Sequence, residues 1–260
     1  MTKVINLVTN YLSAKQQRVR LTGQHSSMKT IMKGVPQGSI LGPILFNIFM
    51  NDLSYAIDEC TLFTYADDTQ LFKSAENIDQ VEHAINADLK RGDECFEFNQ
   101  MKRKHSKYQA ITFERVERNP VLTCEGTVIP IQDEMELLGV TVDNKLKFEG
   151  QIRKICRTVS QQVAVLNRLK KILPFELWID IYRAFIAPHF NYCSESWHHC
   201  GKRGCAKLEK INERATYETL LKKLNLLSPL NQRIVKMATG VYKAIHGYKV
   251  PGGIGELLHL

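Results

Sequence analysis

Apolar residues at Ile5, Leu7, Val8 and Leu12 fall on one face of a short helix, and the chain then turns polar. Arg18 to Leu21 and Thr30 to Met32 have the character of strands on either side of a turn at Gly23-Gln24-His25-Ser26. Leu41, Ile44, Leu45, Ile48, Phe49, Leu53 and Ile57 then repeat at helical spacing behind Ser39, a suitable N-cap. Thr61 to Ala66 and Thr69 to Phe72 predict two strands with Asp67-Asp68 between them, and Ile78 to Phe98 predicts a long helix. Tyr108 to Phe113, Val121 to Thr123, Val128 to Pro130 and Leu137 to Val142 predict strands, with Glu125-Gly126 as a hairpin turn. Beyond Phe148 the pattern is helical: Ile152 to Lys171, Phe175 to Ile186, Cys205 to Lys222 and Asn231 to His246. The expected fold class is α+β, a small mixed sheet with packed helices over residues 1–148 followed by a helical segment over 149–260.

Charge sharpens that division. Residues 1–130 carry 15 basic and 15 acidic side chains, whereas residues 131–260 carry 20 and 12, so the whole excess of +8 lies in the second half. Such a segment either faces a polyanion or presents ordinary solvated helix faces, and charge alone does not choose. At 260 residues, 44% hydrophobic and 24% charged, the chain can bury a core, and wholesale disorder is excluded. The longest apolar run, Ile40 to Met50, is interrupted by Gly42, Pro43 and Asn47, so no membrane span is expected. Seven scattered cysteines fit reduced, intracellular thiols rather than a disulfide framework.

Two segments carry the candidate chemistry. In Tyr65-Ala66-Asp67-Asp68 adjacent carboxylates sit at an expected hairpin tip, the kind of oxygen donor that magnesium takes beside substrate phosphates. Upstream, Gly34-Val35-Pro36-Gln37-Gly38-Ser39-Ile40-Leu41-Gly42-Pro43 runs into the amphipathic helix. Pro36 stiffens the approach, Gly38 permits close passage of a flat partner, and Gln37 offers a donor and an acceptor.

Together these motifs resemble the palm of reverse transcriptases of non-LTR, Jockey-like retrotransposons. Phe46-Asn47-Ile48-Phe49-Met50-Asn51-Asp52-Leu53 between them is similar to the same family. Leu137-Leu138-Gly139-Val140-Thr141-Val142-Asp143 resembles its primer-grip strand, and Tyr182 to Ile186 with Pro188, Tyr192 and Trp197 resembles its thumb. The resemblance implies RNA-directed DNA synthesis by a two-metal mechanism, with an RNA template, a DNA primer and deoxynucleotides as partners. It implies that Asp67 and Asp68 hold Mg2+ and that Lys107 meets the pyrophosphate. Pro36, Gln37, Gly38, Ser39 and Tyr65 would shape the template and nucleotide pocket, and Leu138, Gly139 and Val140 the primer grip.

The family also supplies a carboxylate from a strand upstream of the Gly-Val-Pro-Gln-Gly loop. No Asp or Glu occurs from Met1 to Lys33, and the first acid is Asp52. The expectation is therefore a palm without its fingers and first catalytic aspartate, inactive by itself and weak in Mg2+ binding; the alternatives are an enzyme active only when completed by upstream sequence, or a non-catalytic fragment that binds nucleic acid. Cys95 and Lys104 stand where the family usually has Trp and Asn, a family His is missing near Gln151, and Glu213 to Glu218 reads as a shortened loop. His198, His199, Cys200 and Cys205 lack the spacing of a zinc site.

Overall fold

The structure is a computed structural model that describes residues 2–113, 118–169, 172–197, 201–215, 231 and 234–239. They form two compact units, one of residues 1–107 and 120–129, the other of residues 108–119 and 130–260.

The first unit opens with α1 (Thr2–Leu12), followed by β1 (Gln16–Gln17), β2 (Arg20–Leu21), β3 (Gln24–His25) and β4 (Lys29–Thr30). β2 pairs with β3 and β1 with β4, making one antiparallel arm. Its tip is Thr22-Gly23, both with positive φ (46° and 83°), as a two-residue hairpin turn requires. The expected single helical stripe is broken into α2 (Gly42–Met50) and α3 (Leu53–Ala56). At the break, the N–H groups of Ser54 and Tyr55 donate to the carbonyls three residues back, so the chain tightens locally instead of continuing α-helical. β5 (Thr61–Tyr65) and β6 (Asp68–Phe72) pair antiparallel and join no other strand among the described residues.

α4 (Ile78–Phe98) begins at Asn77, whose side chain accepts from the Gln80 N–H at 2.9 Å. Its buried face is built of Ala84, Asp88 and Gly92, each four residues apart. A Cβ at Gly92 would lie 3.6 Å from Ile57 Cδ1 and 3.7 Å from Leu53 Cδ1, so the small residue lets the α3 region pack closely. A short 3-10 turn, His105–Lys107, follows. β7 (Leu122–Cys124) and β8 (Thr127–Ile129) close on Glu125-Gly126, as the sequence predicts. β7 docks on α4 through side chains: Asn86 bonds both Val121 O and Thr123 N–H at 2.9 Å, and Glu82 accepts from Val121 N–H at 2.9 Å. Arg103 reaches both Asp93 and Glu125, tying the chain after α4 to that hairpin's turn.

The second unit holds the main apolar core. Tyr108 to Phe113 is not a strand. Of that segment, Ala110 alone makes a β-bridge, parallel to Ile131, with Gln132 N–H donating to Ala110 O at 2.8 Å. Leu137 to Val142 is not one strand either, but a hairpin of β9 (Glu134–Leu137) and β10 (Val140–Asp143). Leu138 and Gly139 both take positive φ (47° and 82°), which turns the chain back on itself. The strands thus form separate two-stranded antiparallel pairs among the described residues, within an α+β architecture, rather than one mixed sheet.

α5 (Glu149–Leu169) buries Ile152, Ile155, Val159, Val163 and Leu166 along one face against β10 and the later helices. Such side chains stabilise a fold by about 1.5–3 kcal/mol each. α6 (Phe175–Ile181) runs through a π-helical segment, Tyr182–Ile186, into α7 (Ala187–Asn191). Pro188 lacks the N–H that would close a regular turn there, and the wider turn accommodates it. α8 (Ser194–Trp197) and α9 (Gly201–Ala215) follow, and Phe190, Trp197 and Leu208 are buried almost completely. The Cys205 to Lys222 helix is described as far as Ala215. The rest of that helix, the greater part of Asn231 to His246, and His198, His199 and Cys200 lie outside the described residues.

Candidate active site and nucleic-acid surface

The Asp67 hairpin is tighter than the sequence predicts. Tyr65 pairs with Asp68, so the loop is Ala66-Asp67 and Asp68 is the first residue of β6. Ala66 takes a positive φ of 54° to close it. Tyr65, Asp67 and Asp68 are exposed, and neither carboxylate bonds or ion-pairs with a described residue. Both are hard oxygen donors of the kind magnesium accepts, so their chemistry fits the ion. No third metal-binding side chain stands with them among the described residues.

The upstream loop is organised by Ser39. Its hydroxyl donates to Pro36 O at 2.7 Å, accepts from Gly42 N–H at 3.2 Å, and is met by the Tyr11 hydroxyl from α1. Ser39 therefore supports the start of α2 from within the loop, while the residue at the N-cap itself is Leu41. Gly34 and Gly38 take φ of 85° and 80°, with nothing near a hypothetical Cβ, so glycine is there for the turn. A Cβ at Gly42 would fall 2.8 Å from Ser39 Oγ, which makes that glycine a packing requirement. Gln37 and Gly38 are exposed, and Gly34 and Pro36 border a shallow cavity of about 210 Å³ with Leu12, Lys15, Ile31, Met32 and Lys33. No described hydrogen bond, ion pair or cavity wall joins this loop to Asp67 and Asp68. Lys107 ends the 3-10 turn, exposed, its N–H on Lys104 O at 2.9 Å.

In the second unit, the Leu138-Gly139 turn is braced from the helices. The Tyr192 hydroxyl donates to Leu138 O at 2.6 Å, and its ring stands 3.7 Å from where a Gly139 Cβ would be. Lys154 reaches Gly139 O at 3.4 Å and Glu136 at 2.5 Å. Val140 is buried at the start of β10, and Gln151 accepts from Thr141 N–H at 3.0 Å. Burial pushes the Tyr182 hydroxyl of the adjoining core up to about 12, with Glu209 adding to the rise. Arg157 and Arg168 on α5 and Arg203, Lys207 and Lys210 on α9 are exposed and form no ion pair with a described residue.

Sequence reasoning missed Asp88, Asp143 and the bracing role of Tyr192. Asp143 accepts from Lys145 and Lys147 N–H, both at 3.1 Å, and from Phe148 N–H, shaping the entry to α5. Asp88 is fully buried and gathers the N–H groups of Asp58, Glu59 and Cys60. The available signal was its place on the Ala84-Asp88-Gly92 face, where an acid must find partners.

The first unit thus carries an exposed pair of carboxylates on a tight hairpin downstream of a glycine-rich loop, and the second carries a braced turn and exposed cations on α5 and α9. The family profile described as "Reverse transcriptase (RNA-dependent DNA polymerase)" matches residues 2–142, and the chain belongs to that family. It is similar to the RNA-directed DNA polymerase from mobile element jockey of Drosophila melanogaster, 28% identical over 197 residues, covering 72% of this chain and 22% of that protein. The corresponding jockey polymerase of Drosophila funebris is 27% identical, covering 73% of this chain and 22% of its own. The probable RNA-directed DNA polymerase from transposon BS of Drosophila melanogaster is 25% identical, covering 80% and 24%. The chain thus spans under a quarter of the length of these relatives. No solved structure gives a significant match. No described helix is long and apolar enough to cross a membrane.

Proposed function

We propose that this chain carries part of the machinery of RNA-directed DNA synthesis. The observation that carries the reading is the exposed, unpartnered Asp67-Asp68 pair at the end of a two-stranded hairpin, downstream of a loop whose glycines and Ser39 fix its shape. Asp67 and Asp68 are the residues that would hold Mg2+, which supplies activation of the primer 3′-hydroxyl and neutralises the departing pyrophosphate. Gln37 and Gly38 offer an amide and an open backbone to a base or sugar, and Tyr65 an exposed ring beside the acids. Lys107, exposed at the end of its 3-10 turn, would meet the leaving pyrophosphate. The Leu138-Gly139-Val140 turn, held by Tyr192 and Lys154, would bear on the primer. The free cations of α5 and α9 would meet the backbone of an RNA template or hybrid.

Two carboxylates are too few to hold two ions firmly, so the purified chain is expected to extend no primer on an RNA template. The first test joins the chain to the segment of a jockey polymerase that precedes the matched region. The chimera should incorporate deoxynucleotides in magnesium and lose this with Asp67→Ala. Incorporation that survives the substitution would sink the assignment, and Asp67-dependent incorporation by the chain alone would overturn its dependence on further sequence.

A further inference from the structure

We infer that Asp88 is a positioning residue that fixes the direction of the Asp67-Asp68 hairpin from its base. The inference rests on the reading of that hairpin as the metal-bearing element.

The β5–β6 hairpin pairs with no third strand among the described residues, and an isolated two-stranded hairpin is marginal in water. With no sheet to hold it, the directed bonds at its base set its orientation. There the Asp88 carboxylate, with no exposed surface, rises from the middle of α4. Oδ1 accepts from Asp58 N–H at 3.1 Å, and Oδ2 accepts from Glu59 N–H at 2.9 Å and Cys60 N–H at 2.7 Å. Those three amides immediately precede Thr61, the first residue of β5. Arg91, one turn along α4, donates to Oδ1 at 2.6 and 3.0 Å and balances the charge. Across the base, Lys73 donates to Glu59 O at 2.6 Å and links the end of β6 to the same loop.

Three consecutive N–H groups on one carboxylate define a direction as well as a place. Five strand residues span roughly 17 Å, so a tilt of about 10° at the base carries the tip about 3 Å. Displacements of roughly 1 Å in a reacting group can cost about 100-fold in rate. A buried carboxylate with several charge-assisted bonds is rigid enough for that task, whereas solvent-exposed loop bonds are not.

The test uses the full chain, with residual dipolar couplings of its backbone amides. In the unaltered protein the Asp58, Glu59 and Cys60 amides should be protected from hydrogen exchange, and β5, β6 and α4 should fit one alignment tensor. Fast exchange of those amides, or separate tensors, overturns the proposal without any variant. Asp88→Asn keeps the shape but turns an NH2 donor toward N–H donors or Arg91. In that variant the hairpin couplings should shrink and leave the α4 tensor, while α4 keeps its own. Arg91→Ala, which leaves the three amide bonds in place, should keep the common tensor. If Asp88→Asn merely lowers the unfolding temperature while hairpin and helix still share one tensor, Asp88 is structural and the inference fails. If the hairpin tilts but the chimera incorporates nucleotides without Asp67, the anchor has no catalytic purpose and the positioning role falls.

Discussion

Asp88 also makes a claim about acid. Burial by itself would raise its carboxyl, but the bonds from Asp58 N–H, Arg91, and the Cys60 thiol and amide hold it below the usual carboxylate range. The same contact acts on Cys60, whose thiol is pushed up to about 12, first by burial and then by its bond to Asp88. The charged group bonded to Asp88 is Arg91 on its own helix, whose guanidinium is in turn held charged chiefly by Asp88, with Asp58 and Glu59 on the loop adding to it. A carboxyl whose folded pKa lies below its unfolded value stabilises fully above the unfolded value, near 3.9, and loses that contribution as pH falls through the folded value. Asp88→Asn should therefore cost about 2–3 kcal/mol near neutrality, where a buried acceptor becomes a misplaced donor. The gap between variant and parent should narrow below about pH 4. Denaturant midpoints measured across pH check this, and a gap that stays constant into acid would deny that ionised Asp88 is the stabilising form.

At the scale of elements, the two units differ in how they are held. The second is a packed core in which Phe190 and Trp197 are almost without exposed surface. Phe190→Ala should cost about 3–5 kcal/mol and be visible as a large drop in the unfolding midpoint of that unit. The first unit is joined largely by directed polar contacts, Asp88 to the loop before β5 and Asn86 and Glu82 to β7, around small residues on α4. This difference explains what the sequence disclosed. Periodicity located α4 to the residue and α5 nearly so, because their buried faces repeat at 3.6. It missed the β9–β10 hairpin, because Leu138-Gly139 lies inside a continuous apolar run and only its positive φ values reveal a turn. It also ran α2 and α3 together, since the apolar stripe continues across a break made by backbone bonds and the Ser54 hydroxyl on Asn51 O. The acidic pair and the loop were legible because their chemistry is carried by residue type. The anchors Asp88, Asp143 and Tyr192 were not, since each acts on backbone groups that any residue supplies.

For the whole molecule, charge is the property that acts at a distance, and it is the one the sequence states most openly. Residues 150–236 hold 16 basic and 6 acidic side chains, a net of +10. Within this span some cations are already committed. Arg153 meets Glu134 and Glu149, Lys154 meets Glu136, and Lys236 meets Glu195. Arg157, Arg168, Arg203, Lys207 and Lys210 are exposed without a described ion pair, and they sit on α5 and α9, which pack together. Lys207 is close enough to α5 to oppose the rise that burial gives the Cys156 thiol. If about three to five of these cations neutralise phosphates, binding to an RNA–DNA hybrid should weaken with salt at a log–log slope of roughly −3 to −4.5. It should be tolerant of sequence, because phosphate contacts carry none. Substituting Arg157 and Lys207 together with glutamine should lower the slope by about 2, one for each contact removed. The same substitution at Arg153 and Lys154 should change it less, because those side chains must first leave carboxylates that already hold them. Equal effects from the two pairs would mean that the unpaired cations of α5 and α9 are not the surface that meets the backbone.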